Sequence, residues 1–575
     1  MTTNTLLKTE LCSENALAMR PVEQVMDLER LGAAHQSRLS FMRTIVRRIM
    51  RERWQIKVSL HTLDDRGYGT VIYSIGTAQR RYSFVIFSNY LDPADRNDRV
   101  IASQWDLTMA LVDGDVDENY LSMLKENVPK QEAGRVDSRV FVLSRANRSA
   151  RNFEYVIDKL ASGLQPEISK IAQVGYLYRT TAVYGSGKLG MADWEKVATR
   201  HTDFASPFCA EMFSCLMLRN FSFMQVEHIA KHRNPQSYQA LQLDIKRFFG
   251  IGNSTGLGMA PYLINHPVLL NRLIEMRELA FARIRLLNDI SPAIRERFLA
   301  LIMRCKEHTS QTVTEDAWQT KNNRLLLDDL DALAAKFNEC CDFWNPLIAY
   351  SEQHCSLQGQ EILVSILLEL YPELVDDLEN HLVVDESLDL DPLLGTADLK
   401  RLIEQRYRWA LDYDFTQATT KSTFWYRSQE KMEPRLGQVD LEPGKEKQMP
   451  LGVAYAVRKC YDAVCVYTEQ YPTHQVANFM LDHPEYRSIV RRIQSMSKCY
   501  YGDIQANLLD SDVLPMHLLR CKLAFFGVGK FDPRSKLWVR NTMFQGAPLL
   551  EDIGKDFSDD WFMPLAPKCV NSGAE

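Results

Sequence analysis

Chemistry-bearing residues gather in three stretches of the sequence. Between Phe248 and Pro267, glycines at 250, 252, 256 and 258 surround Asn253, Ser254 and Thr255. Glycine lets backbone approach a ligand closely, and Asn, Ser and Thr cap a following helix whose unpaired N–H groups favour an anion. His266 follows this loop, and histidine titrates near neutral pH, which makes it the candidate acid or base. The competing reading of His266 is a loop histidine bonded to backbone.

The second stretch, Arg179 to Gly190, carries Arg179, Thr180, Thr181 and Lys188 around Gly185-x-Gly187-x-x-Gly190. A dinucleotide fingerprint needs a strand immediately before it and an acidic residue about twenty positions on. Asp203 falls loosely in range, but the preceding residues read as helix, and the glycine–lysine order does not fit a Walker A loop. What remains is a loop suited to a carboxylate or phosphate. The alternative is a glycine-rich turn with Lys188 merely exposed.

The third stretch, Thr423 to Gly437, sets Trp425 and Tyr426 beside Arg427, Glu430, Glu433 and Arg435. Aromatic walls with a few fixed charges are the usual makeup of a small-molecule site, and a carboxyl beside such walls has its pKa raised toward acid–base use. Glu430 and Glu433 therefore join His266 as candidate catalytic groups. Arg179, Thr180, Thr181, Lys188, Asn253, Ser254, Thr255, Trp425, Tyr426, Arg427 and Arg435 are the candidate substrate-binding set. An aromatic anchor braced by arginine–glutamate pairs is the competing account.

Other spacings are less productive. His228 and His232 lie at i and i+4, but no Glu follows the first and no third ligand is assignable, so they read as helix surface and no metal is expected. Cys209 and Cys215 sit among Phe208, Met212, Phe213 and Leu216 on a buried helix, which argues against cysteine catalysis. The acidic run from Glu373 to Asp391 fits no Ca²⁺ loop. No cofactor is assigned.

These residues must be positioned by an α+β fold. Residues 1–150 read as an α+β domain with an antiparallel sheet. Arg38 to Arg53 forms an amphipathic helix carrying six arginines, expected to dock on the sheet with arginine stems over its rim. Strands are expected at Gln55–Leu60, Thr70–Ile75, Tyr82–Ser88, Trp105–Leu111 and Val140–Ser144, joined as a meander. Residues 151–575 read as a mainly helical domain carrying the glycine-rich loops. Helices are expected after the first glycine loop and near 293–306, 323–340, 360–371, 397–412, 452–470 and 485–498.

Composition sets the bounds. The 575 residues carry 68 basic against 74 acidic groups, a net charge of −6, which gives no bulk case for nucleic acid. The twelve cysteines show no pairing pattern, and the sequence shows no secretory leader or membrane-spanning apolar run. A soluble, cytoplasmic protein without a membrane partner is expected. A homo-oligomer, as a dimer, is expected from the pairing habits of large helical enzymes. The functional expectation is an enzyme of small-molecule metabolism acting on a small anionic substrate by general acid–base chemistry, of lyase, isomerase or transferase type. The alternative is a non-catalytic ligand-binding or scaffolding protein.

Overall fold

The computed structural model describes residues 19–92, 104–180, 197–256, 266–340, 342–383, 388–416, 425–427, 434–436, 453–503, 513–535, 538–555 and 559–568. The chain divides into two compact units. One comprises Gln36–Thr255, Ala300–Leu330 and Ala524–Glu575, and the other Met1–His35, Gly256–Leu299 and Asp331–Leu523.

The first unit is built on a nine-stranded, mostly antiparallel sheet. Strands β1 (Gln55–His61), β2 (Gly69–Gly76), β3 (Arg81–Ser88), β4 (Leu107–Asp113) and β5 (Val140–Arg148) form the expected antiparallel meander. Their β-branched and aromatic side chains suit a pleated, buried surface. One face packs Val85, Phe87, Ala110, Val112 and Leu143 against Leu124 and Val128. At the sheet edge β1 is largely exposed. The turn after β1 is organised by Asp64, whose Oδ1 accepts from the backbone N–H groups of Arg66 at 3.0 Å and Tyr68 at 2.8 Å. Gly67 sits in that turn at φ +79°, where a Cβ would be strained.

Beyond β5 the sheet continues through β6 (Tyr176–Thr180) and β7 (Gly250–Gly256), then through β9 (Trp538–Met543) to β8 (Asp532–Ser535). Here β6 and β7 run parallel, with Tyr176 opposite Gly250 and Arg179 opposite Gly252. Parallel neighbours need a long crossover. It contains α4 (Cys209–Arg233), buried along most of its length, and the short α5 (Leu243–Phe248). Arg219 of α4 is fully buried and donates to the carbonyls of Phe249, Pro548, Lys246, Arg247 and Ala547 at 2.7–3.2 Å. Those bonds secure the entry into β7, and burial lowers the guanidinium pKa to about 9.

The earlier helices of this unit are α1 (Phe41–Glu52), α2 (Glu118–Asn127) and α3 (Phe153–Ala161). The arginines of α1 do more than cover a rim: Arg43 and Arg47, with Arg38 just before the helix, are buried around the single carboxylate of Asp559 at 3.1–3.3 Å.

The second unit is helical. Its centre is α6 (Pro267–Arg285) with α7 (Leu357–Leu370), and further helices at Thr396–Arg406, Val453–Gln470 and Arg487–Met496 lie where apolar periodicity places them. Phe337 stacks on Trp344 with ring centres 5.6 Å apart. Among the described residues no helix is long and apolar enough to cross a membrane.

Candidate anion site

The stretch Gly250–Gly256, expected as a helix-capping glycine loop, is strand β7. Its glycines serve packing: a Cβ on Gly250 would lie 2.1 Å from the Met543 carbonyl oxygen, and one on Gly252 2.5 Å from the Tyr176 ring. Asn253, Ser254 and Thr255 cap no helix among the described residues. All three are buried, as is Thr180. Asn253 Nδ2 donates to the Thr180 carbonyl at 3.0 Å, and Thr255 Oγ1 donates to Asn253 Oδ1 at 3.1 Å. Asn541 Nδ2 lies 3.4 Å from Thr255 Oγ1.

What precedes the second glycine cluster is likewise strand, not helix: Arg179 and Thr180 end β6. The structure therefore brings Arg179, Thr180 and Asn253–Thr255 together on two parallel strands. Thr181 and Lys188 lie outside the described residues, as do Glu430 and Glu433. His266 belongs to the other unit, half-buried at the N-cap position of α6. Trp425, Tyr426, Arg427 and Arg435 belong to a two-stranded ribbon in that same unit, with Tyr426 opposite Arg435.

An open charged site lies elsewhere in the sheet unit, where the last turns of α4 face the β1–β2 turn and the end of β5. A cleft of about 340 Å³ is lined by Asp65, Arg66 and Tyr68 from the turn, Arg148 from β5, Glu154 from α3, and Ile229, His232 and Arg233 from α4. Arg148 has a side chain only 6% exposed, lying over the Phe153 ring at 4.3 Å and the Tyr68 ring at 5.3 Å. Its Nε donates to the Tyr178 hydroxyl at 3.2 Å, which donates to Gln225 Oε1 at 2.7 Å. Gln225 Nε2 in turn donates to the Gly67 carbonyl at 2.8 Å and to Ser88 Oγ at 2.9 Å. The nearest carboxylates are those of Asp106 at 3.8 Å and Glu154 at 3.9 Å, both too long for direct hydrogen bonds. Arg148 Nη2 has no hydrogen-bond acceptor among the described residues. Burial alone would lower the Arg148 pKa; Tyr178, Asp106 and Tyr68 more than offset it, and the guanidinium stays charged.

Known proteins offer no guide. Neither a family model, nor a curated protein, nor a solved structure matches the chain.

Beside Arg148 the site continues into a row of imidazoles. His232 has its ring centre 4.2 Å from that of His228, which lies 5.1 Å from His61 on β1. His228 and His61 line a second cleft of about 390 Å³ with Phe223, Met224 and Leu549 on its apolar side. Hydrogen bonds fix two tautomers. His232 Nδ1 lies 2.8 Å from the His228 carbonyl, and His228 Nε2 lies 2.8 Å from the Asp64 carbonyl. A carbonyl oxygen only accepts, so both of those nitrogens carry hydrogen, and the neutral rings keep their lone pairs on His232 Nε2 and His228 Nδ1. Burial pushes the His228 pKa down; the Asp64 carbonyl opposes this, and the neighbouring His232 and His61 add to it.

Sequence reasoning reached His228 and His232 as a pair but not their surroundings. The missed signal at Arg148 is its register. It follows Ser144 and Ala146 on one face of β5, so alternation aims a charged side chain into the protein, where an arginine needs a partner or a ligand.

Proposed function

We propose that the protein is a cytoplasmic enzyme of small-molecule metabolism that holds a phosphate- or carboxylate-bearing substrate at the Arg148 cleft and exchanges protons with it through His232. The observation that carries this reading is a nearly buried guanidinium in the lining of a cleft, with one terminal nitrogen lacking an acceptor among the described residues. A buried polar group without a partner costs about 1–3 kcal/mol, more if charged, so a bound anion gains a charge-assisted bond with little further desolvation of the arginine. His232 supports the catalytic part: with Nδ1–H committed to a carbonyl, Nε2 is its proton-accepting atom. Elimination, isomerisation and group transfer on an anionic metabolite all use such a pair, an anion clamp and a positioned group that takes or gives a proton.

The test is sulfate binding by calorimetry at pH 6 and low ionic strength, where screening is least. Arg148→Gln is expected to weaken binding by about 1.5–3 kcal/mol, roughly ten- to a hundredfold in Kd. Arg66→Gln, at an exposed position, is expected to weaken it a few-fold without a change in melting temperature. Arg408→Gln, in the other unit, is expected to leave it unchanged. Wild-type protein that fails to bind sulfate, or arginine variants that bind as wild type does, would overturn the proposal.

A further inference from the structure

The arginines around the cleft are partly offset by carboxylates. Arg233 is engaged by Glu154 at 2.7 Å and by Asp158 at 2.6 Å. Arg148 has Asp106 at 3.8 Å, and in the turn Arg66 shares the lining with its neighbour Asp65. Three guanidinium groups thus stand against four carboxylates, Asp65 and Glu154 in the lining and Asp106 and Asp158 behind it, and these offset much of the attraction the arginines would give a dianion. What can change the balance is the imidazole row. Histidine as a class gains its proton just below neutrality.

We infer that the cleft binds its anion together with one proton, taken up on His232 Nε2, and thereby selects a dianionic group such as a phosphate monoester over a monoanionic carboxylate. The inference rests on the Arg148 cleft being an anion site. His232 is placed for this because its other nitrogen is already a donor to the His228 carbonyl, so protonation adds a second donor without breaking an existing bond. A second imidazolium on His228, with ring centres 4.2 Å apart, would repel the first, so the pair takes one proton at a time.

The other charged groups around the row act in opposed senses. On α4 itself Lys231 and Arg233 oppose a proton, while Glu227 is held by Lys246 of α5 at 2.9 Å. From the β1–β2 turn Asp64 and Asp65 favour the proton and Arg66 opposes it, and from β1 His61 competes for it. Glu154 of α3 favours it, Arg148 of β5 opposes it, and Glu551 faces the histidines from the second cleft. A bound dianion beside Arg148 adds two negative charges to this set and tips it toward protonation.

The experiment titrates the full-length protein with sulfate, which is dianionic from pH 5.5 to 8 and brings no titrating group of its own, and with methyl sulfate as the monoanion of similar shape. Sulfate Kd is expected to fall about tenfold for each unit decrease in pH across the linked range, as one coupled proton requires. Methyl sulfate is expected to bind more weakly, with a shallower pH dependence. Calorimetry in two buffers of different ionisation heat is expected to show up to one proton taken up per sulfate. His232→Gln should bind sulfate with pH-independent affinity near the wild-type value at pH 8, while His228→Gln should keep the pH dependence. Binding without proton uptake, a His232→Gln protein that keeps the dependence, or a His228→Gln protein that loses it would overturn the inference and leave the anion site standing. Sulfate that binds at no pH would remove both.

Discussion

In the helical unit a buried charge network ties the chain's first described residues to its core, and it yields a sharp stability test. Glu361 of α7, 2% exposed, receives Arg20 Nη1 at 2.7 Å and Arg30 Nη1 at 2.8 Å on one oxygen, and Arg277 Nη2 at 2.5 Å on the other. Arg20 also grips Glu278 with Nε at 2.8 Å and Nη2 at 2.7 Å. Glu361→Gln keeps the shape and removes the charge, leaving three buried guanidinium groups facing the one carboxylate of Glu278. Breaking a buried pair on one side costs about 3–5 kcal/mol, a large share of the roughly 5–15 kcal/mol that holds a domain together. Asp412→Asn is the reference: its partner Arg408 lies 3.0 Å away on the exposed surface, where such pairs contribute about 0.2–1 kcal/mol. Urea denaturation at pH 7, with the slope checked for two-state behaviour, measures both. Burial would raise the Glu361 pKa, but Arg20, Arg277 and Arg30 outweigh it and hold the carboxyl well below its usual range. A depressed carboxyl contributes stability above its unfolded value of about 4.3 and loses it as pH falls toward the folded value, so the two proteins should converge in acid. A deficit below about 1 kcal/mol at pH 7, no larger than that of Asp412→Asn, would refute the reasoning.

Two further tests address residues whose roles the packing defines. Burial lowers the pKa of His517 to about 4 against the opposing charge of Asp27, so the folded state holds it neutral while the unfolded chain takes a proton near pH 6.5. Stability is then unaffected above pH 7 and falls by up to about 3 kcal/mol between pH 6.5 and 4; His517→Phe should flatten that limb in a melting-temperature series, and an unchanged limb would exclude the residue as its source. Gly250→Ala should cost about 1–3 kcal/mol, because the Met543 carbonyl that a Cβ would meet at 2.1 Å is backbone and cannot rotate away. Sulfate affinity at the Arg148 cleft should stay at the wild-type value in that variant, and a lowered affinity with an unchanged melting temperature would restore the reading of this stretch as a ligand loop.

The sequence was most legible where local pattern and tertiary environment agree. The strands β1 to β5 alternate or run apolar, with short turns joining β1 to β2 and β2 to β3, and several helices of the second unit carry apolar stripes at helical spacing, so these declare themselves within their own windows, whereas the helix Trp344–His354 does not. Strand β7 does not. Its residues Gly-Ile-Gly-Asn-Ser-Thr-Gly have low strand propensity and no alternation; it is a strand because β6 and β9 flank it, and those neighbours come from distant parts of the chain. The same chemistry that suggested a helix cap, short polar side chains between glycines, here satisfies donors and acceptors inside a sheet.

The cleft was hidden for a related reason. Asp64 is of a residue type that organises turns, and its Oδ1 does so through the Arg66 and Tyr68 N–H groups. Folding adds what no local window contains. The turn's geometry presents the Asp64 carbonyl to His228 Nε2, fixing that tautomer, while the following backbone places Arg66 and Tyr68 in the cleft beside Arg148 and His232. The glycine after Arg66 is part of the same device, since its positive φ sets the chain direction and its carbonyl accepts from Gln225, the far end of the chain of bonds that begins at Arg148 Nε. A substitution at Gly67 would therefore act on the anion site as well as on the turn: the added Cβ would meet Ile229 of α4 at 2.7 Å, next to the helical turn that carries His232.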